Sequence, residues 1–242
     1  MSTFWTPERI DNYKSASEYT SFHRKLSVLA EPYLDENWTM ADIGCGPGMI
    51  DYWLAPMVKS IDAIDSDPAA IDYLTNRLEE IYITNRNISN KIKPRLESLE
   101  NITGESWDVV LLSFFGINES VFKKVLPLAN RRLLIFMHGR PDKTGPFSAS
   151  GEEKTFSVSE MEAYLKEKNY SYKKSVMEMQ FGQPFKSISD IHAFLSSYYS
   201  DSGDFEKRMV DAEDRIIKTN RFDYPYYLPK SISVALFIIS VG

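Results

Sequence analysis

Met40-Ala41-Asp42-Ile43-Gly44-Cys45-Gly46-Pro47-Gly48 is a short apolar run that breaks into three glycines, and Ser60-Ile61-Asp62-Ala63-Ile64-Asp65 is a second run that ends on an acid. The first reads as a strand over residues 40–43 that turns through a glycine loop into a helix over 49–58, with Ile50, Trp53 and Leu54 inward. Glycine at such a turn lets the backbone approach a ligand where any side chain would collide. The second reads as a strand over 60–64 ending at Asp65. Pro68 then opens a helix, the position where proline costs least, with an inward stripe of Ile71, Leu74, Leu78 and Ile81. A carboxylate at the end of the second strand can accept both hydroxyls of a vicinal diol. Asp67 lies nearer the helix start and reads as its N-cap. Asp62 is expected to face the side opposite Ile61.

Outward from this block the pattern repeats. Residues 91–96 read as a third strand, weakened by Pro94. Residues 108–114 and 132–137 are nearly all apolar, as in parallel strands covered on both faces. Residues 119–128 read as the helix between them. Upstream, Tyr19, Phe22, Leu26, Leu29 and Tyr33 mark one face of a helix over residues 17–34. Strands and helices alternating at this spacing mean βαβ units and a parallel sheet.

After residue 138 the pattern changes. Residues 139–155 read as a loop. Ser157 and Glu160 form a capping-box signal for a helix to about residue 168, and residues 170–179 read as a strand. Two helices follow, one starting at Ser187 and one over residues 204–219, before a final strand over 232–241. In a bare α/β sheet the last two strands would be joined tightly. The inserted helices must therefore lie over an edge or an end of the sheet, where a substrate cap is the natural use. The expected organisation is one domain over 1–242, with a cap built from residues 1–37 and about 180–229.

Composition bounds the function. The formal net charge is −6, and the basic pairs Lys123-Lys124, Arg131-Arg132 and Lys173-Lys174 are short, which argues against a nucleic-acid partner. No apolar run approaches the ~20 residues of a membrane-spanning helix, so no membrane role is expected. The N-terminal stretch lacks a secretory pattern. The single cysteine, Cys45, excludes an intrachain disulfide and fits a cytoplasmic location. With three histidines and one cysteine no metal-ligand spacing arises, so no metal is expected. Many of the 14 Tyr and 14 Phe fall before residue 40 or after 180, which suggests a pocket built from the two ends. Nothing in the sequence sets an oligomeric state.

In the dinucleotide fingerprint G-x-G-x-x-G the third glycine comes one residue later than Gly48 does, and Pro47 makes a poor pyrophosphate loop. Asp42-Ile43-Gly44-Cys45-Gly46-Pro47-Gly48 instead resembles motif I of the class I S-adenosylmethionine (SAM)-dependent methyltransferases, an acid shortly ahead of G-x-G-x-G. The resemblance covers roughly residues 38–138. It implies an α/β Rossmann-like fold with a seven-stranded, mostly parallel sheet, helices on both faces and a helical cap. It implies SAM as cofactor, with Gly44, Cys45, Gly46, Pro47 and Gly48 around its methionine part and Asp42 helping to hold the amino group. Asp65, with Ser66 beside it, matches the family's acid on the ribose. Glu97, Ser98 or Leu99 fall where the family reaches the adenine. Trp107 to Phe114 resembles motif IV, which implies Ser113 and Phe114 beside the sulfonium, although Phe114 equally suits the core. A tyrosine on the N-terminal helix covers the cofactor in related small-molecule enzymes, a part for Tyr19 or Tyr13.

Methyl transfer from a sulfonium is an in-line displacement, for which a protein supplies alignment and a dry pocket. A hydroxyl or carbon acid needs a general base, and an amine or carboxylate does not. His138, after the fifth strand at the carboxyl end of the sheet, is the leading base candidate. His23, Arg140, Tyr224 and Tyr227 are the substrate-side candidates. The expected activity is methylation of a small molecule at O, N or C. Its rivals are a noncatalytic SAM-binding regulator, a protein methyltransferase and a nicotinamide-dependent oxidoreductase.

Overall fold

The computed structural model describes residues 4–139, 155–199 and 205–241. Its strands are β1 (Thr39–Ile43), β2 (Ser60–Asp65), β3 (Ile92–Leu96), β4 (Trp107–Ser113), β5 (Ala129–His138), β6 (Tyr172–Gln180), β7 (Gln183–Phe185), β8 (Ile217–Lys218), β9 (Tyr226–Leu228) and β10 (Ser231–Ser240). Seven of them form one sheet in the order β3-β2-β1-β4-β5-β10-β6. The first five in that order run parallel, and β10 is antiparallel to both β5 and β6. This is the mostly parallel seven-stranded sheet expected. Pro94 is tolerated because β3 is an edge strand that pairs only with β2.

Both faces of the sheet are covered because adjacent residues of each strand point opposite ways. Val109 and Leu111 of β4 and Val234, Leu236 and Ile238 of β10 join one core. The helices on that face are α2 (Phe22–Ala30), α3 (Asp51–Leu54) and α4 (Pro68–Thr84), through Phe22, Leu26, Leu54, Leu74 and Leu78. Val110, Leu112, Ala235, Phe237 and Ile239 join the other core, under α6 (Glu119–Val125) and α7 (Val158–Glu167). The short α5 (Arg86–Ser89) leads into β3. Chain order reverses at β1, whose neighbours are β2 and β4, so the crevice for a ligand lies beyond the carboxyl ends of those strands.

Several expectations change at the ends of elements. The helix expected over 17–34 is two helices, because Ser21 turns left-handed at φ 54° and ends α1 (Pro7–Thr20). That first helix starts well upstream of residue 17, where Thr6 caps it by accepting from the Arg9 N–H. The helix expected over 49–58 is only the single turn of α3 followed by a 3-10 turn at Ala55–Met57 that contains Pro56. Trp53 is consequently not inward: it is 37% exposed, beneath the guanidinium of Arg24.

The insertion between β6 and β10 holds α8 (Ile188–Tyr199), α9 (Phe205–Arg215) and a small antiparallel sheet of order β7-β9-β8. The helix expected over 204–219 ends at Arg215, since Ile217 and Lys218 pair with β9. Side chains of the insertion pack on α1. Gln183 Nε2 donates to Ser15 Oγ at 2.9 Å, and the rings of Tyr19 and Tyr227 stack at 4.7 Å. No helix among the described residues is long and apolar enough to cross a membrane.

Candidate functional site

A cavity of about 370 Å³ opens at the carboxyl ends of β1, β2, β4 and β5. Its floor is Asp42 and the loop Gly44 to Pro47, with Asp65 at one side and Ser113, Phe114 and His138 at the other. Tyr13, Phe22 and His23 line it from the N-terminal helices, and Phe181, Lys230 and Ile232 from the two ends of the insertion.

The loop is pinned to β2 by backbone bonds from Gly44 and Cys45 N–H to the Ile64 carbonyl, at 2.7 and 3.1 Å. Gly46 N–H donates to Asp65 Oδ2 and Asp67 N–H to Asp65 Oδ1, both at 2.8 Å. The acid ending β2 thus sits directly beside the glycine turn. Gly44 and Gly46 have φ of +74° and +54°, a left-handed backbone that disfavours a side chain. A Cβ on Gly44 would lie 2.0 Å from the ring of Phe115, and one on Gly46 would lie 3.0 Å from the ring of Trp5. The bare turn therefore accommodates two rings of this same chain at the mouth of the cavity. Trp5 is held there by its backbone N–H, which donates to Asp67 Oδ2 at 2.9 Å, and its ring meets Tyr13 edge-on. Gly48 faces inward, where a Cβ would strike Leu74 and crowd Asp51.

The electrostatics of the floor are acidic. Asp42 and Asp51 are fully buried, and among the described residues none of their four carboxyl oxygens has a hydrogen-bond partner other than what the two groups offer each other. Burial, then the closeness of Asp51, then Asp65, push the Asp42 carboxyl well above the usual carboxylate range. Burial pushes Asp51 up to about 7. Asp65 is raised by burial, and the N–H groups of Asp67 and Gly46 pull it partly back. The Cys45 thiol is pushed up by burial and by these acids, so it is not a thiolate nucleophile at neutral pH.

Beside the floor, Tyr13 OH and His23 Nε2 are 2.8 Å apart, and Ser17 Oγ lies 2.6 Å from His23 Nδ1. Burial lowers His23 to about 3, so it is a neutral hydrogen-bonding strut. Burial and the Asp42 charge raise Tyr13, which stays a phenol. Phe114, at a left-handed φ of 56°, packs on Phe22 and His138, so it serves the core and the cavity wall at once.

The structure thus brings together Asp42, Gly44, Cys45, Gly46, Pro47, Asp65, Ser113, Phe114, His23 and His138. It does not bring Gly48, Ser66, Glu97, Ser98, Leu99, Tyr19, Tyr224 or Tyr227 to the cavity lining. Glu97 is drawn away by Arg95, Ser98 caps a 3-10 turn, and Leu99 is core. Ser66 is exposed beyond the strand end. Tyr19 stacks on Tyr227, and Tyr13, one helical face round, lines the cavity in its place. Tyr224 lines a separate, wider cleft between α1 and the insertion. Arg140 lies outside the described residues. The sequence reading missed Phe4, Trp5, Phe115, Phe181, Lys230 and the buried Asp51. Only Trp5 carried a signal, as an aromatic preceding a Thr-Pro helix start. Among the described residues no group of His, Cys, Asp and Glu is placed to hold a metal ion.

No family model and no curated protein matches the sequence. Solved structures do match. The YcgJ protein of Bacillus subtilis is 15% identical with a TM-score of 0.57, over 90% of this chain and 98% of that one. A magnesium protoporphyrin IX methyltransferase from Synechocystis, solved with bound S-adenosylhomocysteine (SAH), is 12% identical with a TM-score of 0.54, over 99% and 90%. A candidate RNA methyltransferase from Pyrococcus horikoshii is 13% identical with a TM-score of 0.52, over 91% and 84%. At these identities the likeness speaks for architecture, and with the strand order it makes the chain a class I methyltransferase fold.

Proposed function

We propose that the chain binds SAM and transfers its methyl group to a small molecule at O, N or C. The observation that carries this reading is the acidic lining: Asp42 and Asp65 flank a left-handed glycine turn, with Asp51 buried behind Asp42. SAM carries a sulfonium and an α-ammonium, and both cations suit such a lining. A nicotinamide dinucleotide would set its anionic pyrophosphate against the same acids, and α3 is a single turn with Asp51 at its start, a poor anion site. The orphaned Asp42 carboxyl fits the ammonium, and the unused lone pairs of Asp65 fit the ribose hydroxyls.

Bound SAM supplies an electrophilic methyl group. This chain's part is orientation and exclusion of water. Phe22, Phe114 and Phe181 give the cavity an apolar wall opposite the acids, and Tyr13 is fixed by His23. His138, at the end of β5, lines the cavity and in this reading takes a proton from a hydroxyl acceptor. The N-terminal helices and the insertion act together as the cap of a single domain, through the Ser15–Gln183 and Tyr19–Tyr227 contacts. A capped cavity of about 370 Å³ in a chain of net charge −6 favours a small acceptor over RNA.

Two measurements test this. Methyl-labelled SAM incubated with the protein and fractionated small-molecule extracts is expected to give a labelled product that His138→Ala reduces or abolishes. Binding without product from any pool would leave a regulator as the better reading. Trp5 is expected to report binding by fluorescence, since Trp38, Trp53 and Trp107 are held elsewhere by Arg131, Arg24 and Asp62. SAH should change the emission of the native chain, and Trp5→Phe should remove most of that change. An undiminished signal in the variant would place the ligand away from Gly46.

A further inference from the structure

We propose that the carboxyls of Asp42 and Asp51 share one proton in the ligand-free protein and release it when a cationic α-ammonium docks on Asp42. The inference rests on the cofactor reading above and assigns Asp51 a part in it. Asp42 lies on the cavity floor, and Asp51, the first residue of α3, lies behind it and does not line the cavity. Both are fully buried, and among the described residues no backbone N–H or basic side chain donates to either carboxyl. Two carboxylates in contact without a cation cannot both ionise at ordinary cost, and one retained proton supplies the missing hydrogen bond between them.

The surroundings reinforce this. Asp65 faces the pair from β2, Cys45 from the loop and Tyr13 from α1, and each is acidic or neutral. Lys230, His23 and His138 line the same cavity, and the shifts at the pair come from burial and the neighbouring acids. A positive ammonium at Asp42 supplies a counter-charge that no described residue donates to the pair. The proton then leaves to solvent as the cation arrives, so the net charge of the floor is conserved. The sign follows. The ligand-free pair binds one proton more than the liganded pair, so affinity for an ammonium-bearing ligand rises with pH until the free pair itself ionises, and burial pushes both carboxyls up.

The test is titration calorimetry of SAH into the full chain, in buffers of different ionisation enthalpy. 5′-Methylthioadenosine, which lacks the amino-acid tail, is the control ligand. SAH is expected to release close to one proton at pH 6.5, with affinity rising up to about tenfold per pH unit between pH 6 and 7. Methylthioadenosine is expected to bind with no proton release and a flat pH profile. In Asp51→Asn the amide donates to Asp42, so SAH binding should persist with proton release lost. SAH binding with buffer-independent heats and a flat profile would overturn the shared proton and leave the cofactor reading standing. Failure of both nucleosides to bind would overturn the cofactor reading itself. The proton count on the native chain decides the question even if Asp51→Asn does not fold.

Discussion

Asp65→Ala is expected to weaken SAH binding by at least about a hundredfold while the chain still folds. The carboxylate already accepts from Gly46 and Asp67 N–H at 2.8 Å, which aims it across the mouth of the turn. Its two remaining lone-pair directions are those available to a ribose diol. A hydrogen bond to a charged group contributes about 1.5–3 kcal/mol, so losing two costs about 3–6 kcal/mol, or more than two decades in affinity. Folding should suffer less. Asp65 is only partly buried, its desolvation opposes its own backbone bonds, and solvent can reach the N–H groups it leaves behind. Asp65→Asn separates the two roles. It keeps one carbonyl oxygen for Gly46 N–H but lacks the charge and half the acceptors, so an intermediate loss is expected. Equilibrium binding of SAH with a thermal melt of each variant checks this. An Asp65→Ala chain that binds within threefold of the native protein would remove the ribose from the end of β2.

Much of this was legible in the sequence because it depends on local geometry. A strand must be apolar on both faces to lie inside this sheet, so residues 108–114 and 132–137 declared themselves. A left-handed turn needs glycine, so the loop from Gly44 declared itself too. Asp67 was readable as a cap from its place before Pro68, and it does accept from Ala69 N–H. What the sequence hid is tertiary. Asp51 looks like an ordinary acid in a helix first turn, and only the packing of α3 under Gly48 buries it beside Asp42. Phe115 and Phe181 sit just past strand ends, in irregular stretches with no period to mark them as inward. The small sheet of the insertion is built from two- and three-residue strands, too short to show alternation. The break at Ser21 was invisible because serine rarely adopts a left-handed φ, and here the turn lets α2 drop Phe22 into the core.

That placement makes Phe22 the residue through which the core and the cavity depend on each other. Its ring is 0% exposed and lies 4.4 Å from Phe181 and 5.9 Å from Phe114, and its side chain also lines the cavity. Phe22→Ala is expected to destabilise the ligand-free chain by about 3 kcal/mol, the lower end of the usual 3–5 kcal/mol for Phe→Ala, because the hole it leaves opens into the cavity and can take water. For a chain of this length that is a fall of roughly 6–12 °C in Tm. Phe136→Ala, on β5 and outside the cavity lining, should leave a closed void and fall nearer 5 kcal/mol. The ligand response should separate the two differently. Phe136→Ala should bind SAH almost as the native chain does, and saturating SAH should raise its Tm by the native increment. Phe22→Ala should bind more weakly, because the wall that holds Phe114 and Phe181 against the cavity has lost its support. Thermal melts of both variants with and without SAH make the comparison. If Phe22→Ala loses stability but keeps native affinity, the aromatic wall is core alone and the cavity owes its ligand contacts to the acidic side.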